Sequence, residues 1–250
     1  MEGPSLYLAA EQLAPFVGQT IKKVSGNTKV GKERLLNKKI LDIFSFGKTL
    51  IFQFDTFALR IHFMLFGSFE ATVNKKKVTG DYPRKKRDPR LALQLKNGHI
   101  EMYSCSVRYL EEAHVKEQCD FSIDTMSEAW NEKECLQKML EQPESEIADV
   151  LLDQSIFAGV GNIIKNEVLL LAKILPTRKV SELTNAKLKS LIKLVRHYVF
   201  QFYEWRKHFE LRKHYQVYRQ SVCKVCGGKV QRKKTGLRNR FSFICPHCEK

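Results

Sequence analysis

Four cysteines carry the plainest chemistry in the sequence. Cys223-x-x-Cys226 and Cys245-x-x-Cys248 form two knuckles separated by 18 residues, a spacing that suits a tetrathiolate zinc ribbon. Four soft sulfurs complete the tetrahedron around Zn²⁺ and leave no open position, so the metal is expected to be structural. In a ribbon too small to build its own core, metal binding supplies the folding energy. Gly227-Gly228, just after the first knuckle, suits a tight turn around such a site. Four unrelated thiols would leave the paired spacing unexplained. The seven cysteines are an odd number, which argues against a disulfide framework, and Cys105, Cys119 and Cys135 are read as small buried hydrophobes.

A second chemical group is Asp153-Gln154-Ser155-Ile156-Phe157-Ala158-Gly159-Val160-Gly161-Asn162, followed by an apolar helical stretch from Ile163 to Leu169. The Gly-x-Gly-Asn turn lets backbone approach a ligand closely. Asn162 is expected to cap the second helix while the first amides of that helix face a phosphate. Such a clamp holds a nucleic-acid backbone without reading its sequence. The competing reading is an ordinary helix-helix corner.

Charge supplies a partner for a phosphate clamp. Lys+Arg number 43 against 27 Asp+Glu, a formal net charge of +16, which points to a polyanion. Between Trp205 and Arg240 there are 12 basic residues and only Glu210 opposes them, so this stretch is the main basic region. A second cluster is Lys75-Lys76-Lys77 with Arg84-Lys85-Lys86-Arg87, for which a solvated loop is an equal reading. Glu111 to Asp149 carries 12 acids against Lys116, Lys133 and Lys138 and is expected to face away from the partner.

The elements that must position these groups follow from hydrophobic periodicity. The chain is 250 residues long and 43% hydrophobic, enough apolar surface for a core, which excludes disorder or a fibre. Leu6 to Val17 reads as an opening helix. Short apolar or alternating runs at 39–44, 49–54, 58–63, 91–95 and 100–103 read as strands of a sandwich or barrel. From about Ser127 to Tyr203 the spacing turns helical, with Ala129, Cys135, Leu136, Met139 and Leu140 on one segment and Leu188, Leu191, Ile192, Val195 and Val199 on another. The class is α+β: an N-terminal β-sandwich domain at 1–118, a helical domain at 119–204, and a basic segment with the zinc finger at 205–250. No internal repeat is visible. The longest apolar run near the middle, 168–172, falls far short of the roughly 20 residues that cross a bilayer, and no signal-peptide pattern opens the chain. A monomeric, cytoplasmic protein without a membrane partner is expected.

Together these features resemble the bacterial formamidopyrimidine-DNA glycosylase and endonuclease VIII family. The resemblance spans the chain: Glu2-Gly3-Pro4 at the start, Gly47-Lys48 before a strand, Leu152-Asp153-Gln154 through Gly161-Asn162 as a helix-two-turns-helix segment, and the ribbon with Arg240 five positions before Cys245. Glu-Gly-Pro and Tyr103-Ser104-Cys105-Ser106 look more like the endonuclease VIII branch, which would favour oxidised pyrimidines.

What the resemblance implies is base-excision repair on duplex DNA carrying damaged bases or abasic sites, with the protein joining the bacterial nucleoid when it binds. An N-terminal α-amine would attack C1′ of the damaged nucleotide, expel the base and leave a Schiff base, after which proton abstraction breaks the strand. A terminal amine suits this task, because roughly a quarter of such amines are neutral at pH 7.4 against about one lysine in a thousand. Glu2 would shuttle protons at the sugar. Lys48, on a β-hairpin, would contact the DNA backbone and assist chemistry, and Gly161, Asn162 and Arg240 would hold the flanking phosphates. Met64, Leu65 and Phe66 lie where the family fills the gap left by a flipped base, and Arg108 with Tyr109 would support the opposite strand. A buried strand end remains the competing reading of 63–66, a frayed terminus that of Glu2, and a solvated turn that of Lys48.

This sequence departs from the family pattern at position 1. Where the family exposes proline, Met1 precedes Glu2 directly and is expected to be retained. A primary amine gives an imine that can lose its proton, which would weaken the strand-cutting step while base removal survives. Ser5 also stands where the family often has a second glutamate. A non-catalytic binder of damaged or abasic DNA is the alternative, and a generic zinc-ribbon nucleic-acid protein is a third reading.

Overall fold

The computed structural model describes residues 1–81 and 87–250. The expected basic residues Arg84, Lys85 and Lys86 therefore lie outside the described residues. The chain divides into two compact units, Met1–Cys119 and Asp120–Lys250.

The first unit opens with helix α1, Gly3–Leu13. It starts three residues before the sequence pattern suggests, because Pro4 sits in the first turn, where its missing N–H is an orphan in any residue and its fixed φ is already helical. It also ends earlier: Pro15 turns the chain into a short 3₁₀ segment at Ala14–Phe16. Leu6, Ala9, Ala10 and Leu13 recur at helical spacing and are buried.

Strands β1 (Lys23–Ser25), β2 (Asp42–Phe46), β3 (Thr49–Gln53), β4 (Ala58–Val73), β5 (Lys76–Thr79), β6 (Leu91–Leu95) and β7 (Gly98–Leu110) follow, with a short helix α2 at Val115–Gln118 closing the unit. All pairings are antiparallel, in the order β1-β6-β7-β4-β3-β2, with β5 hydrogen-bonded to β4. Period-2 alternation puts Leu59, Ile61 and Phe63 in the core with Phe52, Phe69, Leu93 and Ile100, while Arg60 and His62 take the other face. Of the lone cysteines, Cys105 is buried here, but Cys119 is only half-buried and donates from Sγ to the Val115 carbonyl at 3.3 Å.

In the second unit, helix α3 (Glu132–Leu140) begins after Asn131, whose Oδ1 accepts from the Lys133 and Glu134 amides at 3.1 and 3.3 Å. Ala129 therefore precedes the helix instead of lying on it. Helices α4 (Ile147–Leu151), α5 (Asn162–Ala172) and α6 (Asn185–Lys207) complete the helical part. Thr184 caps α6 through Oγ1, and Leu188, Leu191, Ile192, Val195 and Val199 face the core as their spacing demands. Cys135 is fully buried within the same cluster. A two-stranded antiparallel hairpin, β8 (Gln231–Thr235) and β9 (Arg240–Ile244), carries the C-terminal region. The architecture is α+β, with an N-terminal sheet and opening helix, a helical second part, and a four-cysteine hairpin. Among the described residues no helix is long and apolar enough to cross a membrane.

Candidate functional site

In the first unit the chain's terminal residues are packed, not frayed. Met1 packs against the apolar core and Glu2 is buried. The Glu2 carbonyl accepts from the Ser5 and Leu6 amides at 3.0 and 3.2 Å, which fixes the chain's entry into α1. Burial pushes the Met1 amine below the usual range of a terminal amine; Asp81 and then Glu2 oppose this, and Lys48 reinforces it. Lys48 stands in the two-residue turn between β2 and β3, where the register pairs Phe46 with Thr49. Gly47, at φ +52°, supplies the left-handed backbone such a turn requires.

Two further groups belong to this neighbourhood. His62 on β4 has its imidazole pushed below the ordinary value by burial, with Arg60, the Met1 amine and Lys48 adding to the shift. Asp81 is the strongest charge favouring protonation of the Met1 amine. Sequence reasoning singled out neither. Alternation along β4 does place His62 on the face of Arg60, opposite Ser106, whereas nothing in the sequence around Asp81 marks it. Ser5, in the position the family often gives to glutamate, is buried, and its Oγ has no hydrogen-bond partner among the described residues.

The apolar triplet lies outside the core. Pairing of β4 with β7 is regular up to Phe63–Cys105 and resumes at Ser68–Tyr103, so residues 64–67 bulge opposite Ser104. Met64, Leu65 and Phe66 are 54%, 59% and 54% exposed. Ser104 takes φ +49°, and a Cβ on Gly67 would come within 2.7 Å of the Ser104 carbonyl oxygen, so only glycine closes the bulge. Ordinary strand-end packing is thereby overturned for these residues. Arg108 is exposed on β7 opposite Arg60. Tyr109 points the other way: its hydroxyl donates to the Gly31 carbonyl at 2.6 Å and its ring lies under the Arg34 guanidinium, so it is a packing residue.

In the second unit the turn between α4 and α5 is stapled by Gln154. Its Nε2 donates to the carbonyls of Leu152 and Val160, and its Oε1 accepts from the Gly159 amide. Gly159 takes φ +101°. Asn162 does not cap α5: the cap position is Gly161, with no side-chain cap bond, and Asn162 is the first helical residue. Its side chain is used elsewhere, donating from Nδ2 to the Phe241 carbonyl at 3.0 Å, while Oδ1 is buried without a partner among the described residues.

Helix α5 grips β9 at two more points. Lys165, fully buried, donates to Ser242 Oγ at 2.8 Å and to the Phe241 carbonyl at 3.3 Å, and Asn166 Oδ1 accepts from the Phe243 amide at 2.7 Å. Arg240, exposed at the start of β9, is thus set beside the first turn of α5. Glu167, raised above the usual carboxylate range by burial, accepts from the amides of Gln216, Val217 and Tyr218 and so anchors the loop that leads into the ribbon. The sequence marked none of these buried polar contacts.

Several cations of the basic stretch serve the fold. Arg206 is buried and stacks on Phe209, Lys213 pairs with Glu210, and Lys224 donates to the Lys213 carbonyl. The acidic stretch is not wholly segregated from it either, because Asp149 accepts from the Leu237 and Arg238 amides at the hairpin tip.

Cys223, Cys226, Cys245 and Cys248 place their four Sγ atoms within 4.8 Å of one another. Tetrahedral Zn²⁺ at about 2.3 Å from each sulfur needs separations of about 3.8 Å, so the donor set fits the ion. Gly227 at φ +74° bends the first knuckle, and the Gly228 amide points at Cys226 Sγ at 3.4 Å, as amides around a bound thiolate do. In the second, the Cys248 amide donates to the Cys245 carbonyl. The four residues can hold one metal ion.

An antiparallel sheet unit followed by a helix-turn-helix unit with a four-cysteine hairpin defines a known class of fold. Residues 121–201 match the model of the formamidopyrimidine-DNA glycosylase H2TH domain. The chain is 27% identical over 268 residues to Endonuclease 8 of Pectobacterium atrosepticum, covering 99% of each chain. It is 32% identical over 207 residues to human Endonuclease 8-like 3, covering 82% of this chain and 33% of that protein. The chain therefore spans about a third of the length of the Endonuclease 8-like 3 protein. Among solved structures, Lactococcus lactis formamidopyrimidine-DNA glycosylase bound non-covalently to DNA containing an AP site superposes with a TM-score of 0.83 at 24% identity over the whole of both chains. A viral DNA glycosylase gives 0.81 at 22%, again over both whole chains. These likenesses show a shared fold. The chain belongs to the formamidopyrimidine-DNA glycosylase and endonuclease VIII family.

Proposed function

We propose that the chain is a DNA-repair glycosylase acting on duplex DNA with oxidised bases or abasic sites, through a Schiff base formed by the Met1 amine. The observation that supports this most is electrostatic: the Met1 amine is buried, depressed in pKa, and close enough to Lys48, Glu2, Asp81 and His62 to feel or shift their charges. A depressed pKa gives the amine a larger neutral, nucleophilic fraction than an ordinary terminal amine has at the same pH.

In this reading the amine nitrogen bonds to C1′ as the bond from C1′ to the base breaks, and the departing base takes up a proton. Glu2 moves protons at the sugar ring, and Lys48 steadies the adjacent phosphate. Removal of a C2′ proton then expels the 3′ phosphate oxygen and cuts the strand. Because the amine of Met1 is primary, its iminium can lose a proton to become a neutral imine, a poorer electron sink, so cutting is slower than base removal. Asn162 and Arg240 hold backbone phosphates, and Met64, Leu65 and Phe66 fill the space of the displaced nucleotide. Zn²⁺ on the four cysteines shapes the hairpin that bears Arg240 and takes no part in the chemistry.

Borohydride trapping on a duplex with an abasic site, read by intact mass and peptide mapping, tests the proposal. An adduct at the Met1 amine is expected. An adduct on Lys48 would move the chemistry to a side chain. Tight binding without any adduct would leave a non-catalytic binder of abasic DNA as the correct reading.

A further inference from the structure

The hairpin joining β8 to β9 holds a leucine out in solvent. Leu237 is 99% exposed, the most exposed large apolar side chain among the described residues. Its backbone is nevertheless pinned. The Asp149 carboxylate accepts from the Leu237 amide at 2.6 Å and from the Arg238 amide at 3.2 Å. Across the turn, the Asn239 amide donates to the Gly236 carbonyl at 3.0 Å. Gly236 has φ +70°, and a Cβ there would stand 2.3 Å from Asp149 Oδ1, so glycine is what lets the carboxylate reach the tip.

Nothing in the fold uses the leucine side chain, yet four neighbouring residues fix where it stands. Around it Arg232, Lys233, Lys234, Arg238 and Arg240 are all exposed. Such a hairpin is drawn to a polyanion, and once its cations meet phosphates the apolar surface within reach of its tip is that of the bases. A pinned tip loses little conformational freedom on docking, which is the condition under which one apolar side chain can contribute to binding.

We propose that Leu237 is a DNA-contacting wedge, docking at a base step of the duplex while Arg238 and Arg240 meet the flanking phosphates. This rests on the DNA-binding reading of the chain and adds a second apolar contact to that of Met64, Leu65 and Phe66. Apolar wedges of this kind partly unstack the step they enter.

The test uses the full chain on an abasic-site duplex, with 2-aminopurine placed in turn at the steps flanking the lesion. Leu237→Ala should bind about tenfold more weakly at every salt concentration, the scale set by burying one leucine. Its salt slope should equal that of the parent, since no cation is lost. The rise in 2-aminopurine emission on binding should be lost at the step that Leu237 enters, and Leu237→Met should restore both. If Leu237→Ala binds and unstacks like the parent while Arg240→Ala binds more weakly, the wedge is refuted and the DNA-binding reading stands. If the parent shows no affinity for duplex, both fall together. Full exposure of the side chain means that the variants fold normally.

Discussion

Asn162 Nδ2 donates to the carbonyl of Phe241 at 3.0 Å, across 79 residues of sequence. That bond, with those of Lys165 and Asn166 to the same strand, makes the first turn of α5 and the start of β9 one rigid piece. Arg240 is the residue before Phe241, so these bonds from side chains of α5 to β9 fix the spacing between the backbones of the two proposed phosphate-holding residues. Preorganisation of this kind reduces the entropy cost of meeting a polyanion.

Arg240→Ala should weaken binding to damaged and intact duplexes alike and lower the slope of log K against log salt by about one. Fluorescence anisotropy across a salt series measures this. An unchanged slope would remove Arg240 from the phosphate contacts.

The pH dependence of trapping follows from the environment of Met1. Burial lowers the amine's pKa, so adduct formation should rise with pH through a midpoint below the roughly 7.7–8.0 of a free terminal amine. Asp81 is the charge that most opposes this shift, and Asp81→Asn should move the midpoint further towards acid. The stability term has a matching sign. An amine whose pKa is lower in the folded state favours folding above its unfolded pKa, and that contribution is lost as pH falls towards the folded value. A midpoint at or above 8 would contradict the buried amine.

Chelation at neutral pH, or Cys245→Ser at a fully buried ligand position, should release one metal equivalent per chain and abolish tight duplex binding, because the hairpin lacks a core of its own. Metal analysis with a binding titration reads both. Tight binding by a metal-free chain would show that the hairpin stands without the ion.

Gly98→Ala should destabilise the first unit by more than about 1 kcal/mol. Gly98 sits at φ +152° where β6 turns into β7, and a Cβ there would lie 1.7 Å from the Thr72 carbonyl oxygen. Urea unfolding should show a lower midpoint with an unchanged slope. A midpoint equal to the parent's would mean that strand β4 yields at Thr72.

Much of this architecture was legible because local rules act over a few residues. Alternation at 49–54 and 91–95 marked β3 and β6, helical spacing of Leu188 to Val199 marked α6, and paired C-x-x-C spacing marked the four-cysteine cluster. The ends of elements were less legible. Pro4 and Pro15 shifted α1, and Asn131 delayed α3 past Ala129, because capping and proline geometry act at single positions that periodicity averages away.

Residue types and their spacing were enough to specify the four-cysteine cluster, the glycine turn before Asn162 and the exposed basic hairpin, since each depends on neighbours in sequence. Other features depend on residues that are far apart in the chain. The bulge that exposes Met64, Leu65 and Phe66 exists because β7 pairs out of register there. Asn162 abandons its cap for Phe241, the buried Lys165 finds Ser242, Asp149 reaches the tip at Leu237, and His62 and Asp81 come within electrostatic reach of Met1. A polar group removed from water must find a partner wherever the fold supplies one, and that partner is chosen by packing in three dimensions, which no short-range pattern encodes.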